Sequence, residues 1–285
     1  MKKALVSIIV PVHNAPAQTR ACLDSVRRNT RKPYELIVVD DASGPATAGF
    51  LDSREGIRLI RNKKNLGFAR SVNAGMRAAN GDYIVWLNSD AIVTTGWLDA
   101  MLACARSDRQ IGAVGPVTND AKSPQAIVDI PRDFSLGNGR VDALAALWAR
   151  HHGGSFQTTH RLTGFCLLLK RHAVRAVGAV DERFGRGYAE DLDYCLRLIQ
   201  AGYRLAIAKG TFVYHQGRAS FSAVGDAERM DEKARRLFVE KWCRLTLMFM
   251  NQFNEDLKER PRPSAMEMLG RRARRSGGRS SRTRK

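Results

Sequence analysis

The sequence predicts an α/β fold in which helices cover both faces of a central, mostly parallel sheet. Two observations lead to this prediction. Short segments that are apolar at every position recur along the chain, and helical stretches separate them. A strand that is apolar throughout has to be buried on both faces, as the strands of a parallel sheet are. The 285 residues, 44% of them hydrophobic, suffice for one large domain or two small ones.

The first part of the chain alternates predicted strands and helices without a long interruption. Strands are expected over 4–12, 34–39, 57–61, 82–87 and 111–117. Helices are expected over 17–28, 68–79 and 95–106. Asn14, Ala15 and Pro16 form the turn that opens the first helix. The helix at 68–79 has small residues on its packing side.

The alternation is weaker after residue 117. Residues 118–160 contain Pro and Gly and show one helical piece near 141–150. The remaining predicted elements are strands at 162–169 and 211–214 and helices at 190–200 and 226–242. Gly202, just past the helix at 190–200, is a stop signal for it.

The charge of the chain is strongly positive and unevenly distributed. The net charge is +19, and residues 258–285 hold eleven Lys or Arg against two Glu. This composition predicts a folded domain over 1–250 and a basic, partly disordered tail over 251–285. Such a tail suits an anionic partner: nucleic acid, an acidic membrane surface or a phosphorylated substrate. A solvated tail without a specific partner is the alternative.

The cysteines and the apolar runs indicate the compartment. The five cysteines are an odd number without a C-x-x-C pair, which excludes the usual zinc spacings and favours free thiols in a reducing environment. No apolar run approaches the roughly 20 residues of a membrane span. Met1, Lys2 and Lys3 lead directly into the first strand without a cleavable signal. We therefore expect a cytoplasmic protein.

Polar residues follow three of the predicted strands at the point where each strand ends. Asn14 follows the first, Asp40 and Asp41 the second, and Asn88 and Asp90 the fourth. Ligands of open parallel sheets bind beyond the carboxyl ends of the strands, so these clusters predict a ligand site. Each cluster alone is also explained as a turn or a helix cap. The chain has neither G-x-G-x-x-G after the first strand nor G-x-x-x-x-G-K-[ST], so a dinucleotide-binding fold and a P-loop enzyme are not supported.

Six motifs, taken together, resemble those of a known family. They read, in order, VSIIVPVHN, VVDDAS, NLGFARSVNAG, WLNSD, LTGFCLLLKR and FGRGYAEDLDYCLRLIQAGYRL. In this order and spacing, over residues 4–220, the chain resembles the inverting glycosyltransferases of family 2, in particular rhamnosyltransferase-like members. The resemblance implies the GT-A fold, a Rossmann-like central sheet flanked by helices, in a single catalytic domain.

The resemblance also implies a divalent metal site at the end of the fourth strand. Asp90 matches the last Asp of the family's D-x-D motif, which binds Mg²⁺ or Mn²⁺ between the phosphates of a nucleotide-sugar. Asn88 stands where the motif has its first Asp; its amide can hydrogen-bond a ribose hydroxyl but brings no charge. His215 matches a histidine placed against the metal or the diphosphate, and a surface histidine is the alternative.

Further residues match the family's nucleotide-sugar pocket. They are Pro11 and His13 at the nucleobase, Asp40 or, less directly, Asp41 at the base edge, Asn65 and Arg70 along the nucleotide, and Gly164 at the sugar and the acceptor. Packing explains Gly164 nearly as well.

The predicted catalytic base lies at the start of the helix at 190–200. By the resemblance, Asp191 takes the proton of the acceptor hydroxyl, and its neighbour Glu190 is the second candidate. An acidic pair at a helix N-terminus is otherwise explained as a complement to the helix dipole. Asp193 is expected to be a surface or structural acid.

These residues together predict a metal-dependent, inverting transfer of a sugar from a dTDP-, UDP- or GDP-sugar to an acceptor hydroxyl. The acceptor is a glycan, a lipid-linked molecule or a protein, as in bacterial surface glycan biosynthesis, with rhamnose as one candidate sugar. Residues 118–160 are the expected acceptor loop, and the tail is expected to reach the inner face of an anionic membrane. One alternative is a nucleic-acid-binding protein, although the sequence shows no recognisable RNA- or DNA-binding motif. The other alternative is a degenerate glycosyltransferase scaffold that binds its ligand without turnover. The presence of Asp90, Asp191 and His215 together argues against it.

Overall fold

The computed structural model describes residues 4–31, 33–119, 123–126, 140–185, 187, 189–217 and 232–242. The predicted tail at 251–285, and with it the predicted domain boundary after residue 250, lies outside these residues. Within the described part, no helix is both long and apolar enough to cross a membrane. The four described cysteines are free and buried.

Strands and helices alternate through the described chain. The strands are β1 (Val6–Val12), β2 (Tyr34–Asp40), β3 (Arg58–Arg61), β4 (Tyr83–Leu87), β5 (Ala91–Val93), β6 (Ile111–Val117), β7 (Phe156–Thr159), β8 (Cys166–Lys170) and β9 (Arg204–His215). The helices are α1 (Pro16–Asn29), α2 (Pro45–Asp52), α3 (Phe68–Ala78), α4 (Trp97–Ser107), α5 (Arg140–His152), α6 (Arg171–Val177), α7 (Glu190–Gln200) and α8 (232–242).

The strands form a sheet in the order β3-β2-β1-β4-β8-β6-β9-β5, with β7 also paired to β9. Strands β1, β2, β3 and β4 run parallel to one another. Strand β8 lies antiparallel between β4 and β6, and β5 and β7 are antiparallel to β9. The predicted α/β class is confirmed, with a mixed rather than a mostly parallel sheet. An apolar run shows burial on both faces, but it does not show the direction of the strand.

The sheet separates two hydrophobic cores. Alternate side chains of β1 face opposite cores: Ile8 and Val10 pack with α1, α2 and α4, while Ile9 packs with α3, α5, α6 and α7. Helix α3 lies so close to β1 that a Cβ added at Gly75 would collide with the Ile9 side chain. The small residues predicted on the packing side of this helix therefore set its distance from the sheet.

Several elements differ from the sequence prediction. Helices α2 and α6 and strands β5 and β7 were not predicted. Residues 162–165, predicted as strand, are a loop that leads into β8. Strand β9 is longer than the predicted 211–214, because it continues through Lys209 and Gly210, whose polar and small character interrupts the apolar run. Gly210 is required there, since a Cβ would lie 2.8 Å from the Cα of Gly153 at the end of α5.

Candidate active site

The carboxyl ends of β1, β2 and β4 meet at one edge of the sheet because the three strands are parallel. We call this edge the rim. Contacts join its first two loops: the Asp41 backbone N–H donates to the Val12 carbonyl at 2.7 Å, and His13 Nδ1 lies 2.8 Å from the Asp41 carbonyl. Pro11, in β1, pairs with Val39 of β2 just below them. The prediction that the polar clusters share one edge is confirmed.

The loop after β1 is held in an unusual backbone conformation by the loop after β2. Asn14 and Ala15 have positive φ angles of 59° and 56°. The Asn14 side-chain oxygen accepts a hydrogen bond from Gly44 N at 2.8 Å, and Asn14 N donates to Ser43 Oγ at 2.9 Å. Asn is among the residues that tolerate this conformation best, because its side chain can bond locally. The two hydrogen bonds fix the position of the neighbouring His13.

His13 is oriented by both of its ring nitrogens. The Asp41 carbonyl can only accept a hydrogen bond, so Nδ1 carries the proton that it donates there. Nε2 then accepts from the Asn14 side-chain amide, 3.2 Å away. The imidazole is therefore ordered as a flat surface at the rim, and its place beside a nucleobase stays a prediction.

The two neighbouring aspartates after β2 have different partners. Asp40 is buried, accepts from Ser43 N at 3.0 Å and lies 3.4 Å from Arg61 Nε. Asp41 is also buried and accepts three hydrogen bonds of 2.7–2.8 Å, which come from the side chain of Asn62 and the backbone N–H groups of Leu66 and Gly67. Asp41 therefore holds the loop that leads into α3, and Asp40 is the carboxylate with fewer strong partners.

The loop held by Asp41 contains Asn65, one of the predicted nucleotide-binding residues. Its side-chain oxygen is buried, and no hydrogen-bond partner for it lies among the described residues. Arg70, on the first turns of α3, instead points to Glu182, with 3.1 Å between Nε and the carboxylate. Both side chains of that pair are nearly half exposed, at 47% and 42%. Asn65 thus has a buried acceptor without a partner among the described residues, whereas the guanidinium of Arg70 is paired with Glu182.

Asp90 and His215 meet at the turn after β4. Strand β5 pairs antiparallel with β9, which sets Ala91 opposite His215. Asp90 Oδ1 lies 3.3 Å from His215 Nε2, and the side chains are 8% and 14% exposed. The Asn88 side-chain amide lies 3.4 Å from the same ring nitrogen. His215 is therefore a partly buried residue of the rim and not a surface histidine.

Two residues keep the His215 ring in place. Asn119, after β6, binds the backbone of His215 on both sides: its oxygen accepts from His215 N at 2.7 Å, and its amide donates to His215 O at 2.9 Å. The ring of Phe165 stacks on the imidazole with 4.9 Å between centroids and an interplanar angle of 24°. The position of the imidazole nitrogen is thus set by backbone anchoring and by packing.

The pair formed by Asp90 and His215 has the chemistry of a divalent metal site. A carboxylate oxygen and an imidazole nitrogen are both ligands for Mn²⁺, and a carboxylate suits Mg²⁺. Among the described residues, no group of three or more His, Cys, Asp or Glu could hold a metal ion. Two protein ligands leave coordination positions for phosphate and water oxygens, as Mg²⁺ sites commonly do. The residues present therefore fit such an ion.

Glu190 and Asp191, at the start of α7, are neighbours with opposite environments. The helix begins after Ala189, which has a positive φ of 65°. Asp191 is half-buried and accepts from the backbone N–H groups of Gly164, at 2.9 Å, and of Leu192, at 2.7 Å. Glu190 is 8% exposed, and its Oε2 has no hydrogen-bond partner among the described residues. Burial, and after it the charge of Asp191, raise the pKa of Glu190 to about 8.

Gly164 and Phe165 connect the two halves of the site. Gly164 donates its backbone N–H to Asp191, while the next residue, Phe165, stacks on His215. The Phe165 carbonyl also accepts from Asn88 N at 2.8 Å. Consecutive Cα atoms are only about 3.8 Å apart, so the acidic start of α7 and the Asp90–His215 pair lie side by side. A Cβ at Gly164 would come within 3.3 Å of the Asp191 Cβ, so the glycine permits this approach.

Asp193 is a structural acid and not a surface one. Its side chain is fully buried and accepts from Arg197 Nε at 2.9 Å, Lys241 Nζ at 2.7 Å and Trp242 Nε1 at 2.9 Å. These contacts fasten α8 to α7, where Phe238 packs in a small third core. Asp193 therefore supports the helix that begins with Glu190 and Asp191.

The sequence prediction missed Asn119 and Asn62, which orient predicted site residues. Asn119 follows β6 in the same way as Asn88 follows β4, so the rule that polar residues collect after strands could have identified it. Asn62 lies close after β3 and is open to the same argument. Nothing in the local sequence indicates that Glu182 would pair with Arg70.

A mixed sheet flanked by helices, with polar loops at one rim, is the arrangement of the GT-A fold class of glycosyltransferases. Residues 7–177 match the sequence profile of Glycosyl transferase family 2. The chain belongs to this family, and the predicted family and fold class are confirmed.

Three relatives illustrate the similarity. The chain is 27% identical over 221 residues to a pre-mycofactocin glycosyltransferase of Mycobacterium tuberculosis, covering 75% of this chain but 43% of that protein. It is 28% identical over 217 residues to an N-acetylglucosaminyl-diphospho-decaprenol L-rhamnosyltransferase of the same species, covering 68% and 70% of the two chains. The structure of a Pyrobaculum calidifontis mannosyltransferase with GDP-Man and Mn²⁺ superposes with a TM-score of 0.57 at 21% identity, over 77% of this chain and 59% of that chain. The chain thus spans less than half the length of the first relative.

Proposed function

We propose that this chain transfers a sugar, with inversion, from a nucleoside diphosphate sugar to an acceptor hydroxyl in a metal-dependent reaction. The observation that supports the proposal is the link through Gly164 and Phe165, which contact Asp191 and His215 respectively. A single displacement needs a base on one side of the sugar and a stabilised diphosphate on the other. The rim supplies residues for both tasks.

Asp90 and His215 would hold Mg²⁺ or Mn²⁺, and the ion would supply positive charge to the diphosphate. Asn88, whose side-chain amide lies 3.4 Å from the His215 ring, would hydrogen-bond a ribose hydroxyl. The ordered ring of His13 and the buried oxygen of Asn65 are the proposed contacts for the nucleoside. Asp40 is preferred over Asp41 for the base edge, because three hydrogen bonds already occupy the Asp41 carboxylate.

Asp191 is the proposed catalytic base. Each of its oxygens accepts one backbone hydrogen bond, which orients the carboxylate and leaves lone pairs for the proton of the acceptor. Glu190 is less suited to this task, because an acid with a pKa of about 8 still holds its own proton at neutral pH. Glu190 is instead a neutral neighbour, so no second negative charge lies beside the Asp191 carboxylate.

The donor and the acceptor are open parts of the proposal. The relatives support a nucleotide-sugar donor, since one is named as a rhamnosyltransferase and another was solved with GDP-Man. We therefore propose a dTDP-, UDP- or GDP-sugar as donor and a glycan, lipid-linked or protein acceptor, in surface glycan synthesis. Attachment to an anionic membrane through residues 258–285 stays a prediction, because these residues lie outside the described part of the chain. The same holds for the nucleic-acid alternative, which drew on the same tail.

A thermal-shift screen of dTDP-, UDP- and GDP-sugars, each with Mn²⁺ or with EDTA, tests the proposal, because a bound ligand stabilises the folded state. We expect one donor to raise the melting temperature only when the metal is present. Asp90→Asn should weaken this binding at least about tenfold to a hundredfold. The matched control is Asp99→Asn on the exposed side of α4, which should bind as the parent does. If no nucleotide-sugar stabilises the parent, or if Asp90→Asn binds normally, the proposal is wrong.

A further inference from the structure

A second polar cleft lies at the opposite edge of the sheet from the rim. It has a volume of about 500 Å³ and is formed where β4 begins, where α4 passes into β6 and where β8 passes into α6. Tyr83 marks this end of β4 and is paired with Lys170 of β8. At about 3.3 Å per residue, β4 separates Tyr83 from Asn88 at the rim by roughly 17 Å. The cleft is therefore distinct from the candidate active site.

The lining of the cleft is rich in positive charge. It contains five Lys or Arg and one acid, Asp82. The basic residues that line it are Arg106, Arg109, Lys170, Arg171, His172 and Arg175. Asp82 offsets one of the five positive charges, and its carboxylate also accepts the backbone N–H of Leu5 at 3.0 Å, so the lining keeps an excess of positive charge. Positive charges that lie close together in one concave surface repel one another, and a bound anion would reduce this repulsion.

The guanidinium groups in the cleft differ in whether they already donate hydrogen bonds to the protein. Arg171 donates to the carbonyls of Gly81 and Ala79, which fixes its side chain against the start of β4. Arg106, Arg109 and Arg175 are exposed, and no carboxylate pairs with any of them among the described residues. The neighbouring Asp108 is bound by Arg204, from β9. These three guanidinium groups thus line the cleft without a hydrogen-bond acceptor among the described residues, and Arg106 lies over the Tyr83 ring with 5.7 Å between Cζ and the ring centroid.

Lys170 shows that the site extends below the surface. Its side chain is buried, with 7% exposure, yet no carboxylate among the described residues pairs with it. Its ammonium donates to the carbonyls of Asp108, at 2.7 Å, and Arg109, at 3.4 Å. An ammonium has three N–H groups, so one remains for a ligand. Burial, and the nearby positive charge of Arg109, lower the pKa of Lys170, and a bound anion would oppose both effects.

We propose that this cleft binds a phosphate or diphosphate group of a phosphorylated ligand. Arg forks and a Lys point charge are the combination that recognises phosphate oxygens, since each guanidinium can donate two parallel hydrogen bonds. The volume exceeds that of a phosphate group, which leaves space for the rest of a phosphorylated molecule. The source of the phosphate is a phospholipid headgroup or a free phosphorylated compound. The chemistry is the same for both, and the experiment separates them.

The test compares two triple variants of the full chain. The first, Arg106→Gln with Arg109→Gln and Arg175→Gln, removes the exposed cations of the cleft. The control removes three exposed cations elsewhere and lowers the net charge equally; it consists of Arg27→Gln and Arg28→Gln on α1 with Arg77→Gln on α3. All six side chains are exposed, so both variants should fold, which their melting temperatures check. The basic tail is the same in both, so its contribution cancels.

Calorimetric titration with pyrophosphate, in EDTA to silence metal-dependent binding at the rim, is the first arm. We expect the cleft variant to bind on the order of tenfold or more weakly, and the control variant to bind as the parent does. The second arm is co-sedimentation with phosphatidylglycerol vesicles, with phosphatidylcholine vesicles as reference. If the parent binds vesicles but not pyrophosphate, and only the cleft variant loses vesicle binding, the source of the phosphate is a lipid headgroup. If the parent binds pyrophosphate and only the cleft variant loses this binding, the source is a free phosphorylated compound.

Two outcomes would overturn the proposal. Equal losses in the two triple variants would show that only the overall positive charge matters. Absence of binding by the parent in both arms would show that the cleft takes no phosphate group. Neither outcome touches the proposed transfer reaction, because the residues changed lie outside the rim.

Discussion

The two ends of strand β4 open onto sites of opposite chemistry. At its carboxyl end, Asp90 meets His215, and Asp191 accepts backbone N–H groups. At its amino end, Lys170 is buried without a carboxylate partner in the described part of the chain. Asp191 is thus oriented by two backbone donors, whereas the exposed arginines of the cleft have no carboxylate partner in the described part of the chain. The positive charge of this chain is therefore not confined to residues 258–285.

This difference follows from how the strand ends are connected. At the rim, loops after parallel strands bring backbone N–H groups toward the ligand, and these groups hold the carboxylates. At the opposite edge, a helix end, a loop and the β8–α6 junction each contribute long basic side chains. A carboxylate oriented by two hydrogen bonds, such as that of Asp191, suits the proposed role of a base. A buried cation without a carboxylate partner among the described residues, such as Lys170, suits the proposed binding of an anion. The predictions below separate these two roles.

The largest expected effect is that of Asp191→Asn at the rim. The amide keeps the shape of the side chain but cannot take a proton, so turnover should fall by on the order of 10² to 10⁴. Binding of the donor should stay normal, because Asp191 contacts Gly164 and not the metal pair. Steady-state kinetics and donor titration measure the two quantities. Glu190→Gln is the companion variant and should lose less turnover; the reverse order of losses would make Glu190 the base.

The next effect is on stability and depends on pH. The pKa of Glu190 in the folded protein, about 8, lies above its ordinary value of 4.5. Below pH 4.5 both states hold the proton, so the stability linked to this group is fully present there. As pH rises toward 8, the unfolded chain releases the proton while the folded chain keeps it. Stability is therefore lost as the pH rises from about 4.5 toward 8, and the loss levels off above that range.

Glu190→Gln removes this loss. The gain in melting temperature of the variant over the parent should therefore grow from about pH 5 to about pH 8 and then level off. Glu55→Gln, at an exposed position, should show no such trend. A gain for Glu190→Gln that is the same at every pH would mean that Glu190 is charged in the folded protein at neutral pH.

The smallest expected effect is that of the cleft on turnover. The triple variant at Arg106, Arg109 and Arg175 should turn over a soluble acceptor within about twofold of the parent, because long-range effects of exposed charges are screened beyond about 10 Å at ordinary salt. Initial rates at saturating donor measure this. A large loss of turnover would show that the two ends of β4 are coupled, and the separation of roles proposed above would then fail.

Much of the rim could be predicted from the order of polar residues after apolar runs. Asp40, Asn88 and Asp90 were found in this way, and Asn119 could have been, because parallel strands carry their carboxyl ends to one edge. The difference between Glu190 and Asp191 could not be predicted. Adjacent residues on a helix point about 100° apart, and which of them is buried depends on what packs against α7. The role of Arg70 was equally hidden, since its partner Glu182 lies in a distant turn.

The sequence by itself determined the central sheet, the small packing side of α3 and the edge at which a ligand would bind. These features follow from local hydrophobicity and from the direction of successive strands, which nearby residues encode. Only the tertiary structure decided that β8 runs antiparallel, that Asp90 meets His215 and that six bases line one cleft. The physical reason is that burial and electric field at a side chain are set by segments far away in the chain, which no local pattern records.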